Sequence, residues 1–252
     1  MANKRATATG LTLALLGPLF VAIAASHFEL APTTFSRSLP WLLAMLALLA
    51  SILAIVRWWE RLPWSSLGFR RPTWRSFVWG LTLAAFFVLV FGPLVAHLFA
   101  RLDSVGFDQR GASTANLPLW YLSLLIVVVG TMEEVLYRGY AIHRLADWTG
   151  SPLLGATIST AAFALAHVPM WGWVTSLSFV FSGGLLAAFF MWRRDIIANI
   201  IAHVLTDVVG IALPHIVEVM LWGRMCSVQS IARPVGVMLL CLEINENTRA
   251  WL

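Results

Sequence analysis

Charge is what this sequence has least of. Only 12% of its 252 residues are Asp, Glu, Lys or Arg, while 60% are hydrophobic and the mean hydropathy is +0.81. An ordinary soluble domain carries about 25% charged residues. So thin a charge does not cover a water-soluble globule of this size, which excludes a soluble cytosolic enzyme. Disorder is excluded too, since it requires low hydrophobicity. Cysteine is equally scarce. Cys226 and Cys241 are the two instances, with no CxxC and no Cys/His pattern at zinc spacing. Lysine occurs once, at Lys4, so arginine carries the basic balance. That bias fits a GC-rich bacterial genome.

Long hydrophobic runs are what the chain does have. They fall at 7–28, 39–56, 77–100, 117–136, 152–170, 173–192 and 196–214. At about 1.5 Å per residue most can cross a ~30 Å hydrocarbon layer. A further stretch, 216–242, is broken by Glu218, Arg224, Arg233 and Pro234 and reads as a partial span or a tail. The expectation is an all-α polytopic transmembrane bundle of seven to eight spans, forming one membrane-embedded domain over 1–252. Its core helices are expected at 117–214, with an atypical C-terminal segment at 215–252.

The 17 Lys and Arg against 12 Asp and Glu leave a net charge of +5. Their positions point to topology and not to nucleic acid. Lys4 and Arg5 precede the first span. Arg57, Arg61, Arg70, Arg71 and Arg75 share one loop with only Glu60. Arg138 and Arg144 follow the fourth run, and Arg193 and Arg194 the sixth. The loops between are nearly balanced, with Glu29 and Arg37 in one and Arg101, Arg110, Asp103 and Asp108 in the other. All four basic clusters fall on one side if the N-terminus is cytoplasmic. A multi-pass protein of the inner (plasma) membrane is expected, with the bilayer as partner. The start of the chain also reads as a signal peptide ending near Ala22–Ser26, although a retained first span is the simpler reading. Trp58, Trp59, Trp64 and Trp74 among the loop arginines fit an interfacial aromatic belt.

Ionisable residues inside apolar runs are the chemical signal, because a charge at mid-membrane costs about 2.5–3.5 kcal/mol even on lenient scales. Three groups qualify. Glu133, Glu134 and Arg138 follow Gly130-Thr131-Met132. Glu134 and Arg138 are four apart and share a helix face, whereas Glu133 points about 100° away. One carboxylate can thus be held by arginine while the other stays free. His167 follows Phe163 by four in the fifth run, and Asp207 follows His203 by four in the seventh. Glu133 lies about as far before the turn at 149–152 as His167 lies after it, roughly 22–24 Å at 1.5 Å per residue, so antiparallel packing levels them. A carboxylate, two histidines and another acid in one buried pocket are the parts of a hydrolase that activates water.

Glu133-Glu134-x-x-x-Arg138, Phe163-x-x-x-His167 and His203-x-x-x-Asp207, in that order, resemble the three motifs of the CPBP intramembrane proteases. That family, also called Abi, joins type II CAAX prenyl endopeptidases with bacteriocin-processing and self-immunity proteins. The resemblance covers about 130–210. It implies a glutamate-type peptidase of the membrane, acting on a membrane-associated protein or peptide. Glu133 would activate water, His167 would share that water, and Glu134 and Arg138 would brace the site. His203 and Asp207 would stabilise the oxyanion. Members with prenylated substrates have Asn where Asp207 stands, so Asp207 would have to be protonated, act through His203 or hold a metal. The resemblance implies no cofactor, with zinc on Glu133, His167 and His203 as a chemical alternative.

Other intramembrane proteases match less well. The chain has no HExxH and no GxGD, and Ser182-Gly183 lacks the preceding glycine of a rhomboid-like motif. A non-catalytic immunity or scaffold protein is the alternative class. A transporter should show repeated halves, and none is apparent.

Overall fold

The computed structural model describes residues 3–28, 34–102, 117–213 and 216. Cys226, Cys241 and all of 215–252 except Ile216 lie outside the described residues, as do Glu29, Asp103, Asp108 and Arg110. Every regular element among the described residues is helical.

Helix α1 (Lys4–His27) starts at Asn3, whose side chain accepts the Arg5 N–H. It buries Ala6, Gly10, Ala14, Pro18 and Ala22, a small residue at every fourth position. Such a stripe lets neighbouring helices approach closely in a membrane. Tyr140 fills the gap at Gly10, where a Cβ would stand 2.0 Å from the Tyr140 hydroxyl oxygen. Helix α2 (Phe35–Ala54) runs on through a π-helical turn, Ile55–Trp59, into the arginine-rich loop. A short 3₁₀ turn there, Trp64–Leu67, closes on Gly68 at φ 85°, a conformation that favours glycine. The loop then tucks into the bundle. Leu67 is fully buried, and the Ile196 N–H donates to the Gly68 carbonyl at 3.2 Å.

Helix α3 (Trp74–Phe86), a π turn (Phe87–Phe91) and α4 (Gly92–Leu102) form one apolar rod. Helix α5 (Leu119–Glu133) passes into a nine-residue π-helical segment, Glu134–Ile142, and then α6 (His143–Thr149). Helix α7 (Pro152–Arg193) begins with Pro152 in its first turn and the Ser151 hydroxyl capping Leu154 N–H. Helix α8 (Ile196–Asp207) is capped by Asp195, which accepts from Ile197 and Ala198 N–H, and continues through a π turn to Ala212. It packs against α3, where a Cβ on Gly80 would stand 2.7 Å from Ile201 Cγ2.

Helix α7 is a hairpin. Gly172 sits at φ 74°, ψ 168°, outside helical geometry, and the two arms fold back on each other there. The rings of Phe163 and Phe179 are 6.2 Å apart. Sixteen residues of straight helix would separate them by about 24 Å.

Five helical stretches are long and apolar enough to cross a membrane: Lys4–His27, Phe35–Trp59, Trp74–Leu98, Leu119–Thr149 and Pro152–Arg193. A shorter apolar helix is Ile196–Ala212. The chain is therefore a polytopic all-α membrane protein with five to six such helices among the described residues, fewer than the seven to eight spans expected. The difference has physical causes. The runs 152–170 and 173–192 are the two arms of the hairpin, counted above as one stretch, the run 196–214 gives a short helix, and the run 216–242 lies outside the described residues apart from Ile216. Phe20, Leu43, Phe77, Leu81 and Leu89 face outward, as a lipid-solvated surface requires.

Candidate active site

The four groups singled out in the sequence meet where α5, the first arm of α7 and α8 converge. The Glu133 carboxylate holds the centre. Its Oε1 is 3.7 Å from His167 Nε2 and its Oε2 is 3.5 Å from His203 Nε2. Asp207 Oδ2 stands 3.6 Å from the same His203 nitrogen. Both imidazoles thus turn their Nε2 atoms inward, and their Nδ1 atoms explain why.

His167 Nδ1 lies 2.8 Å from the Phe163 carbonyl oxygen, one helical turn back. A carbonyl only accepts, so Nδ1 carries the hydrogen, and Nε2 of a neutral ring presents a lone pair. The His167 ring is also stacked at 4.0 Å on Phe179 from the second arm of the hairpin. His203 Nδ1 lies 2.7 Å from Glu134 Oε1, which fixes that ring in turn. Gly130 leaves it room, since a Cβ there would sit 3.8 Å from His203 Cδ2 and 3.2 Å from Val204 Cγ2.

Glu134 is fully buried and meets the other nitrogen of the His203 ring from Glu133. Its Oε1 also accepts Arg138 Nη1 at 2.9 Å, and its Oε2 accepts Asn199 Nδ2 at 3.1 Å. Arg138 reaches onward to the Gly183 carbonyl at 3.2 Å and lies 4.4 Å over the Phe163 ring. A buried ion pair survives only when its polar atoms find further partners, and here both Glu134 oxygens and both Arg138 terminal nitrogens have one. The nine-residue π segment that starts at Glu134 carries Arg138, and π segments recur at functional sites.

Asn199 was not singled out in the sequence. It is fully buried and ties Glu134 to the hairpin by donating also to the Leu186 carbonyl at 2.9 Å. Its position four residues before His203 was the available signal. A second buried polar cluster takes in two of the charges counted near the loops. Glu60 and Arg144 form a buried pair at 2.8 Å. Glu60 also accepts from Thr7 and Tyr140 hydroxyls at 3.0 and 2.9 Å, and Arg144 donates to Ser66 Oγ at 3.2 Å. Arg138 is buried likewise, because the fourth run continues as helix to Thr149. Trp58, Trp59, Trp64 and Trp74 are exposed, as a belt at the interface requires.

Among the described residues, no group of three or more His, Cys, Asp or Glu side chains is arranged to hold a metal ion. The zinc alternative on Glu133, His167 and His203 thus finds no ready ligand group among the described residues. What the arrangement offers is a carboxylate whose two oxygens face two imidazole nitrogens across gaps slightly too long for direct hydrogen bonds. One such gap suits a bridging water.

Residues 115–209 match the model of a protein family described as type II CAAX prenyl endopeptidase Rce1-like, a domain of the CPBP (Abi) group. The match includes all three motifs. No curated protein and no solved structure matches the chain.

Proposed function

We propose, on the premise of the CPBP, Rce1-like domain over residues 115–209, that this protein is an intramembrane endopeptidase. It hydrolyses a peptide bond of a membrane-associated protein or peptide, with a water activated by Glu133 and His167. The observation that carries the reading is the convergence of two oriented Nε2 atoms on the two oxygens of one buried carboxylate.

The steps follow from the orientation. A water between Glu133 Oε1 and His167 Nε2 donates one hydrogen bond to each acceptor. Glu133 takes a proton, and the nascent hydroxide attacks the scissile carbonyl carbon. A C–O bond forms and the carbonyl electron pair moves to oxygen. His203 Nε2–H then donates to that oxyanion, its ring held from behind by Glu134 at Nδ1. On collapse the C–N bond breaks, and Glu133 passes its proton to the leaving amine. Asp207 acts through His203, because it faces the same Nε2 nitrogen; an ionised carboxylate in direct contact with the oxyanion would repel it. Glu134, Arg138, Asn199 and Phe163 are positioning residues.

The same reading puts the N-terminus and the arginine-rich loop in the cytoplasm of a cell whose inner membrane holds the protein. The hairpin arms and Ile196–Ala212 would then raise the passes from five toward seven.

The test compares new protein termini in membranes expressing wild type or Glu133→Gln at equal levels. Termini present only with wild type support the peptidase and reveal its substrate. Equal termini with both proteins intact sink it, and would favour a non-catalytic immunity or scaffold role.

A further inference from the structure

Three tyrosines occur in the chain, Tyr121, Tyr137 and Tyr140. Each is buried, with no more than 1% of its surface exposed. Two of them have partners for their hydroxyls. Tyr140 donates to Glu60 at 2.9 Å, and Tyr121 accepts from Ser38 Oγ at 3.0 Å. The Tyr137 hydroxyl has none among the described residues. A buried hydroxyl without a partner lowers stability, because it gives up its bonds to water and gains nothing in return. Phenylalanine would fill the same space without that loss. Buried hydroxyls on Thr160, Thr175 and Ser176 also lack a partner, but on a helix such short side chains can turn toward the carbonyl one turn back. The oxygen of a phenol stands too far from its own backbone for that.

The packing around Tyr137 fixes where its hydroxyl lies. Tyr137 takes the last open position of Glu133-Glu134-x-x-x-Arg138. Its carbonyl accepts Ser159 Oγ at 2.6 Å, which ties the π segment to the first arm of the hairpin. Its ring stands edge-on to Phe163, with centroids 5.3 Å apart and planes at 79°. Phe163 in turn lies 4.6 Å from the His167 ring and 6.4 Å from the His203 ring. Tyr137 is four residues past Glu133 and so shares its helix face. Side chains on a helix lean toward its N-terminus, which carries the hydroxyl back toward Glu133 across a rise of about 6 Å. Of the charges that act on this hydroxyl, the Glu133 carboxylate acts most strongly, ahead of the guanidinium of the adjacent Arg138.

We infer that Tyr137 is a further catalytic residue, whose hydroxyl donates to the oxygen of the tetrahedral intermediate beside His203 Nε2–H. The role rests on the peptidase reading above. A bond made only once the scissile carbonyl becomes an oxyanion stabilises the transition state more than the ground state, and only such a difference speeds the chemical step. A donor left unpaired at rest has that property in full. Being uncharged, it brings no further charge into the buried site. Tyr137 transfers no proton. It gives a hydrogen bond while the oxyanion exists and is released when the C–N bond breaks.

Tyr137→Phe removes the hydroxyl and keeps the ring. Wild type, Glu133→Gln, Tyr137→Phe and Tyr140→Phe are expressed full-length at equal levels, and the accumulation of the wild-type-specific termini in the membranes is followed in time. Loss of one oxyanion donor slows a reaction about 10²–10³-fold. Tyr137→Phe should therefore form those termini about 100-fold more slowly, while resisting unfolding in mixed micelles as well as wild type or better. Tyr140→Phe, which loses its bond to Glu60, should show the reverse: earlier unfolding and a normal rate per folded molecule. Tyr137→Phe slowed less than about tenfold, or unfolding earlier as Tyr140→Phe does, overturns the inference and leaves the peptidase standing. Wild type forming no termini that Glu133→Gln lacks fells the peptidase reading, and this role with it.

Discussion

Replacing Arg138 by methionine keeps most of the side chain's length and removes its charge, so it isolates what the guanidinium contributes. Three contacts are lost: the ion pair to Glu134 at 2.9 Å, the bond to the Gly183 carbonyl at 3.2 Å and the position 4.4 Å over Phe163. A charge-assisted hydrogen bond contributes about 1.5–3 kcal/mol. A desolvated cation–π contact adds up to about 2 kcal/mol. Glu134 would be left as a buried carboxylate with only His203 and Asn199 as donors, and breaking such a pair costs about 3–5 kcal/mol. That last figure is the expected loss for Arg138→Met, because it already contains the first two. Glu134→Gln in the same background should recover about 1–3 kcal/mol, since the orphaned charge goes too. Unfolding titrations in mixed micelles of the two single variants and the double variant give the coupling directly. A single-variant loss below about 1 kcal/mol, or a double variant whose loss is the sum of the singles, would refute the view that these residues form one buried unit.

Three further outcomes are expected. Gly183→Ala should destabilise by about 1–3 kcal/mol, because its Cβ would sit 2.8 Å from Phe163 Cδ1 and 3.3 Å from Arg138 Nη2. Its neighbour Gly184→Ala meets nothing within 4 Å and should be neutral or better; equal effects in the same micelle titration would contradict the hairpin packing. Glu60→Gln should cost about 3–5 kcal/mol by leaving Arg144 buried without its charge partner, and a loss below about 1 kcal/mol would return Glu60 to the status of a solvated loop charge. Glu133→Gln should abolish cleavage with little change in unfolding, because the Glu133 carboxylate approaches the two imidazoles no closer than 3.5 Å; a variant that cleaves as wild type does would remove Glu133 from the chemistry.

The site was legible in the sequence to the extent that its partners are local. Glu134 with Arg138, and His203 with Asp207, are four apart on one helix, and helix geometry alone puts each pair on one face. The level of Glu133 and His167 followed from counting residues to a turn marked by glycine and proline. The pairing of Glu60 with Arg144 was not foreseen because they are 84 residues apart, and a lone acid among arginines looks like any interfacial charge. Nothing local to either residue announces the other. Asn199 was missed for a related reason: a single amide on an apolar helix acquires meaning only when Glu134 arrives from 65 residues away. The break between the runs 152–170 and 173–192 was legible, and it falls at Gly172. Hydropathy reports two apolar runs there, and the turn that folds one back on the other rests on one backbone angle.

The bond network at Glu60 also has a timetable. Thr7 is made before Glu60, but Tyr140 and Arg144 emerge 80 and 84 residues after it. At about 5–20 residues per second, synthesis leaves that carboxylate without its cation for roughly 4–17 s. A charge that must wait so long cannot wait in hydrocarbon. It is carried in a loop, where interfacial water can hold it until the first turn of α6, with Arg144, closes over it. The order of synthesis thus accounts for an acid placed outside the spans that nevertheless ends its life buried.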